Sequence, residues 1–149
     1  MATPILPPDF KDFLRSLAET GVEYVLVGGY AVGYHGYVRA TADLDVWVAR
    51  SPENARRVVA ALKRFGMDVP GLSEELFLEE ANVVRMGVPP FRIEILTSVS
   101  GVDFRDCYRD RIETVLDGVP VAVIDLPHLK ANKRASGRAK DLADLDQLP

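Results

Sequence analysis

Asp43 and Asp45 flank Leu44 at the head of an otherwise apolar run, Val46-Trp47-Val48. Aspartate is depleted in strands, so two of them in one strand-like segment ask for a reason. On a strand, positions i and i+2 point to the same face, a few ångströms apart. Two bare carboxylates at that distance repel unless something positive sits between them. Hard divalent cations such as Mg²⁺ take oxygen ligands and are held by one or two carboxylates plus substrate phosphates. Upstream, Val27-Gly28-Gly29 closes another apolar run. Glycines let a chain pass close to a ligand, and their amides can face a phosphate. With no such ligand, the aspartate pair would simply line a solvated strand face.

Glu94 sits centrally in Phe91-Arg92-Ile93-Glu94-Ile95-Leu96, where Phe91, Ile93 and Ile95 alternate with Arg92 and Glu94. If that strand lies beside the Asp43 strand, Glu94 completes a three-carboxylate site. The plainer alternative is a surface glutamate paired with Arg92. A basic tail holds Lys130, Lys133, Arg134, Arg138 and Lys140, followed by Asp141 and Asp144. Lys133 and Lys140 share a face if their helix is continuous, and such a patch could neutralise a triphosphate. The alternative is a solvated helix with Lys140 and Asp144 as a surface i,i+4 pair. Neither a P-loop nor a GxGxxG pattern is present, and nothing resembles a nucleophile elbow. His35 and His128 show no ligand spacing and read as structural.

These residues need elements to hold them. Phe10, Phe13, Leu14 and Leu17 recur at helical spacing, which predicts a helix over 9–20 with Asp9 as its cap, after an extended arm from Thr3 to Pro8. Val22 to Val27 reads as a strand and Tyr30 to Tyr37 as a short helix or turn. Ala42 to Ala49 is a second strand, followed by an amphipathic helix over 52–65 with proline at its first position. Residues 67–87 give a weaker signal: a loop and one strand centred on Val83-Val84, broken by Pro89-Pro90. Phe104 to Asp110 reads as a helical turn. Asp117-Gly118 between apolar runs predicts a hairpin. Residues 127–148 read as helix, parted at Gly137. Strands and helices mix without a strict βαβ rhythm, which points to an α+β domain with a mixed sheet.

The 149 residues favour a single domain over 1–149, large enough to fold without disulfides. Cys107 is the lone cysteine, which points to a reducing, cytoplasmic setting. The N-terminal segment lacks the basic region and apolar core of a secretory signal. The longest stretch free of charged residues, Tyr24 to Val38, is too short to span a bilayer. A net charge of −4 argues against a dedicated, sequence-independent nucleic-acid binder.

The run from Val25 to Val48, VLVGGYAVGYHGYVRATADLDVWV, resembles the signature of the nucleotidyltransferase superfamily shared by DNA polymerase β and the aminoglycoside nucleotidyltransferases. The fuller pattern of His35, Gly36, Arg39, Thr41, Asp43 and Asp45 is similar to the small bacterial nucleotidyltransferases related to abortive-infection toxins. Their C-terminal motif also resembles Lys133 to Asp144. The resemblance implies an α+β fold with a mixed β-sheet flanked by helices and a C-terminal helical segment. It implies Asp43, Asp45 and Glu94 as ligands for Mg²⁺ or Mn²⁺, with Lys133 beside them in catalysis. Gly28, Gly29, Arg39, Thr41, Arg138, Lys140, Asp141 and Asp144 would bind the NTP. The implied reaction moves a nucleoside monophosphate from an NTP to an acceptor hydroxyl and releases pyrophosphate. The resemblance leaves the acceptor open among RNA, a protein and a small molecule; if the chain is the toxin of a pair, the acceptor would be a tRNA or a protein and the partner an antitoxin. A catalytically silent nucleotide-binding domain is the alternative. Two departures stand out: the third carboxylate is glutamate where aspartate is commoner, and the larger second domain that holds the acceptor in many relatives is not seen.

Overall fold

Six strands, β1 (Tyr24–Val27), β2 (Asp43–Val48), β3 (Val83–Met86), β4 (Arg92–Leu96), β5 (Ile112–Leu116) and β6 (Val119–Val123), build one sheet in the order β3-β4-β2-β1-β6-β5. β2 runs parallel to β4, and β1 parallel to β6; the other neighbours are antiparallel, so the sheet is mixed. The helices are α1 (Pro8–Thr20), α2 (Gly28–Tyr34), α3 (Pro52–Phe65), α4 (Phe104–Arg109), α5 (Leu126–Ser136) and α6 (Ala139–Gln147), with a 3₁₀ turn at Glu74–Phe77. The computed structural model describes residues 5–87 and 90–149. Thr3 and Pro4 of the expected arm and Pro89 of the expected break lie outside them.

The two faces of the sheet differ because strand residues alternate. Along β2, Leu44, Val46 and Val48 are at most 1% exposed, and Ile93 and Ile95 of β4 extend that apolar face. Phe10, Phe13, Leu14 and Leu17 of α1 and Ala55, Val58 and Leu62 of α3 belong to the same core. Phe13 meets Phe65 edge to face at 5.5 Å, joining the two helices. Asp43, Asp45 and Trp47 occupy the opposite face of β2. There Trp47 packs on Phe104 at 5.1 Å and seats α4 beside the far end of the strand.

Three expectations need correction. Helix α1 starts at Pro8 with Pro7 as its cap, and Asp9 lies in the first turn without capping the end. A proline needs no partner for its missing N–H, so it takes the start and displaces the aspartate. Helix α2 begins at Gly28 itself, two residues before the expected Tyr30. The stretch 67–87 holds the 3₁₀ turn as well as its strand. The hairpin at Asp117-Gly118 and the break at Gly137 form as expected, with φ of 48° and 79° across the turn giving the primed geometry a two-residue hairpin favours. Among the described residues, no helix is long and apolar enough to cross a membrane.

Asn54 ties three elements together. Buried at 1% exposure, it accepts from the Glu23 amide at 2.8 Å and donates to the carbonyls of Glu23 (3.1 Å) and Ala49 (2.9 Å). These bonds fix the start of α3 against the entry of β1 and the exit of β2. Asn54→Ala leaves the Glu23 amide and the buried Ala49 carbonyl without these partners and is expected to lower the unfolding free energy by about 2–3 kcal/mol, measured by urea denaturation. A loss below about 0.5 kcal/mol would contradict this assignment.

Candidate active site

Strand register assembles the carboxylates. Asp45 of β2 pairs with Glu94 of the parallel strand β4, and Glu94 pairs with Arg85 of β3. On the other side Asp45 pairs with Val27 of β1. Partners in register share a face, so Arg85, Glu94, Asp45 and Val27 form one row across four strands. Asp43 stands two residues along β2 on the same face, in register with Arg92.

The row ends at Gly28, and here glycine is a steric requirement. A Cβ on Gly28 would lie 2.1 Å from Asp45 Oδ2, and one on Gly29 would lie 2.5 Å from Thr41 Oγ1. Gly28 also holds φ at +70°, a conformation that other residues adopt at a cost. The twin glycines thus let α2 begin directly against the Asp45 carboxylate. His35 Nε2 lies 2.7 Å from the Ile124 carbonyl oxygen and ties the end of α2 to the strand beyond, a structural role as expected.

Asp45 is electrostatically uncomfortable. Burial raises its pKa most, and the charge of Glu94, a hydrogen bond shared with it, and the charge of Asp43 add to the rise, to about 7. Lys140 works in the opposite direction. Asp45 Oδ1 is buried and has no hydrogen-bond partner among the described residues. An all-oxygen donor set with an unsatisfied buried oxygen and a glycine cradle fits a hard divalent cation. Asp43, Asp45 and Glu94 are the residues that could hold it.

A second cluster lies on the C-terminal helices. Lys133 is buried, with Nζ 2.9 Å from Asp141 Oδ1 and 3.1 Å from Asp144 Oδ2. Arg39 grips Asp144 with both prongs, at 2.7 and 2.8 Å. Arg138 Nε donates to Asp141 Oδ2 at 2.7 Å, and the Ser136 hydroxyl donates to the same oxygen. Burial alone would raise the pKa of Asp141, but hydrogen bonds from Ser136, Lys133 and Arg138 bring it down to about 2. Asp144 is lowered too, as bonds from Arg39 and Lys133 outweigh its burial. Between the two clusters lies a cavity of about 460 Å³, lined by Gly28, Asp45, Glu94, Asn132, Lys133 and Arg138 among others. That volume is within the range of small-ligand sites.

Most of the sequence-nominated residues therefore converge on one place. Asp43, Asp45 and Glu94 share a face; Gly28, Gly29 and Thr41 pack around it; Lys133, Arg39, Arg138, Asp141 and Asp144 form the facing cluster. Lys140 is exposed and outside that cluster. The surface alternatives are not what forms: Glu94 pairs with Arg85 rather than Arg92, and Asp144 with Lys133 and Arg39 rather than Lys140. Lys133 and Lys140 do not share a continuous helix, because Gly137 adopts φ of 64° between α5 and α6. Sequence reasoning missed Arg85, which lies in the stretch without clear periodicity. It also missed Asp110, Asp125 and His128, whose donor atoms all lie within 4.8 Å of one another. His128 Nδ1 is 2.5 Å from Asp125 Oδ1, and the i,i+3 spacing of that pair was the available signal.

No protein-family model matches the sequence, and no curated protein matches it. Among solved structures, a match is the crystal structure of a "putative nucleotidyltransferase" from Thermotoga maritima, with a TM-score of 0.65 and 14% sequence identity. The match covers 96% of this chain and 94% of that one. The chain has the nucleotidyltransferase fold.

The raised pKa of Asp45 has a sign that can be measured. Folded, the group keeps its proton up to about pH 7; its ordinary value is 3.8. Between those values the folded state binds the extra proton, so stability holds below the lower value and falls as pH rises towards the upper. Asp45→Asn removes that titration. In buffer with EDTA the variant is expected to be more stable than the parent by roughly 2 kcal/mol at pH 8, with the gain vanishing near pH 4. Thermal unfolding across this range checks it; a gain independent of pH would contradict the burial argument.

Proposed function

We propose that the chain is a metal-dependent nucleotidyltransferase that moves a nucleoside monophosphate from an NTP to an acceptor hydroxyl. The observation that carries this reading is the register pairing of Asp45 with Glu94 beneath Gly28, which leaves a buried carboxylate oxygen unpartnered at the cavity wall. The fold shared with the Thermotoga protein supports it.

Asp43 and Asp45 would hold Mg²⁺ or Mn²⁺, and Glu94 would hold a second ion or take the proton of the acceptor hydroxyl. When bound, such ions neutralise phosphate charge and sharpen the acceptor oxygen as a nucleophile. Gly28 and Gly29 let backbone amides at the start of α2, which lack intrahelical partners, come close to phosphate oxygens. Arg138, exposed at the cavity wall although bonded to Asp141, and the exposed Lys140 beyond it would offset the triphosphate charge. Lys133 and Arg39 are engaged by Asp141 and Asp144, and act by holding the cavity wall in place. The acceptor oxygen bonds to the α-phosphorus, the bond from that phosphorus to the bridging oxygen breaks, and pyrophosphate departs. Most of this work is positioning and charge neutralisation.

The test is label transfer from each α-³²P NTP, with Mg²⁺ or Mn²⁺ and a cell extract, followed by separate ribonuclease and protease treatment. Transfer is expected with the parent chain, to be abolished by EDTA, and to fall at least about 100-fold in Asp43→Ala and Asp45→Ala with circular dichroism unchanged. The nuclease and protease sensitivities distinguish RNA, protein and small-molecule acceptors. Equal transfer by the parent and both variants would defeat the assignment, and nucleotide binding without transfer to any acceptor would favour a silent binding domain.

A further inference from the structure

The edge strand supplies a charge that the proposed reaction has not used. Arg85 sits in register with Glu94, and its Nε donates to Glu94 Oε1 at 3.0 Å. Its side chain is 60% exposed, whereas that of Glu94 is 19% exposed. No other protein hydrogen bond engages the Arg85 side chain among the described residues, so most of its five N–H donors remain free. Arg85 also lines the cavity beside Glu94 and Asp45. It lies on β3, at one edge of the sheet, with no strand beyond it among the described residues to restrain a change of rotamer.

We infer that Arg85 is a substrate-binding residue that exchanges partners: it neutralises Glu94 while the carboxylates are free of metal, and clamps phosphate oxygens of the substrate once a cation takes Glu94. The inference rests on the transferase reading above. Its physical basis is competition for one carboxylate. A divalent cation approaching Glu94 meets the guanidinium already on Oε1, and the two positive charges repel. The released guanidinium remains at the cavity wall, with a planar fork whose spacing matches phosphate oxygens. The ligand class is therefore a polyphosphate, recognised only in company with the metal. An ordinary surface ion pair would have neither the cavity position nor a partner that the cation also needs.

The experiment measures two affinities in the full chain, for the parent, Arg85→Ala and Arg85→Lys. Mn²⁺ alone is titrated and followed by the electron paramagnetic resonance of the free ion. Inorganic triphosphate is then titrated at saturating Mn²⁺ by calorimetry. Loss of the competing ion pair in Arg85→Ala is expected to tighten Mn²⁺ binding about two- to fivefold. The same variant is expected to bind triphosphate at least about fivefold more weakly, with Arg85→Lys recovering part of the loss. A residue that merely braces the sheet edge would not move the two affinities in opposite directions. Unchanged affinities, or a parallel loss of both, would overturn the inference. A parent chain that takes up no Mn²⁺ would overturn the transferase reading and this inference together, which tells that failure apart.

Discussion

The carboxylate row is the constraint around which the molecule is arranged. Asp45 and Glu94 stand in register on neighbouring parallel strands, with Asp43 adding its charge from the next position on the same face. Like charges in a half-buried setting are costly, and nothing about folding alone demands them. Each neighbouring feature limits or exploits that cost. Gly28 leaves room for the carboxylate, Arg85 supplies a positive charge at the sheet edge, and Lys140 opposes the repulsion from the far side. The apolar residues between the acids, Leu44, Val46, Ile93 and Ile95, hold the register that brings the acids together.

The C-terminal helices solve a different problem. Lys133 is taken from water between Asp141 and Asp144, and Arg39 and Arg138 complete the coordination of those aspartates. Buried ion pairs contribute little net stability because desolvation consumes most of the Coulomb gain. Their value here is geometric. The pairs cross the break at Gly137 and bind α5 to α6, while Arg39 draws in the segment that leads to β2. One wall of the cavity is thereby fixed relative to the other.

Much of this arrangement was legible in the residues. The two-residue period placed Asp43 with Asp45, and the alternation of Phe91 to Leu96 placed Glu94 on the polar side of its strand. Asp117-Gly118 specified its own turn. What could not be read depends on long-range pairing. Arg85 shows its role only through the register of β3 on β4, because the segment around it has no clear period. The burial of Lys133 depends on contacts eight and eleven residues away across a helix break, where a continuous helix would have left it on the surface. The start of α2 at Gly28 was missed because glycine disfavours helices, yet the approach of Asp45 leaves space for no side chain there. Asp110 meets Asp125 and His128 only through the packing of the end of α4 against the start of α5.

Two groups of ligand-type side chains could hold the cation of the proposed reaction, the carboxylate row and the Asp110, Asp125 and His128 group. Diffraction from crystals grown with Mn²⁺ and a non-hydrolysable NTP analogue, collected for the anomalous signal of manganese, distinguishes them directly. The account predicts an anomalous peak coordinated by Asp43 and Asp45, with the triphosphate beside Gly28. A nucleotide-bound crystal whose peak lies at Asp110, Asp125 and His128, with none at the carboxylate row, would contradict it.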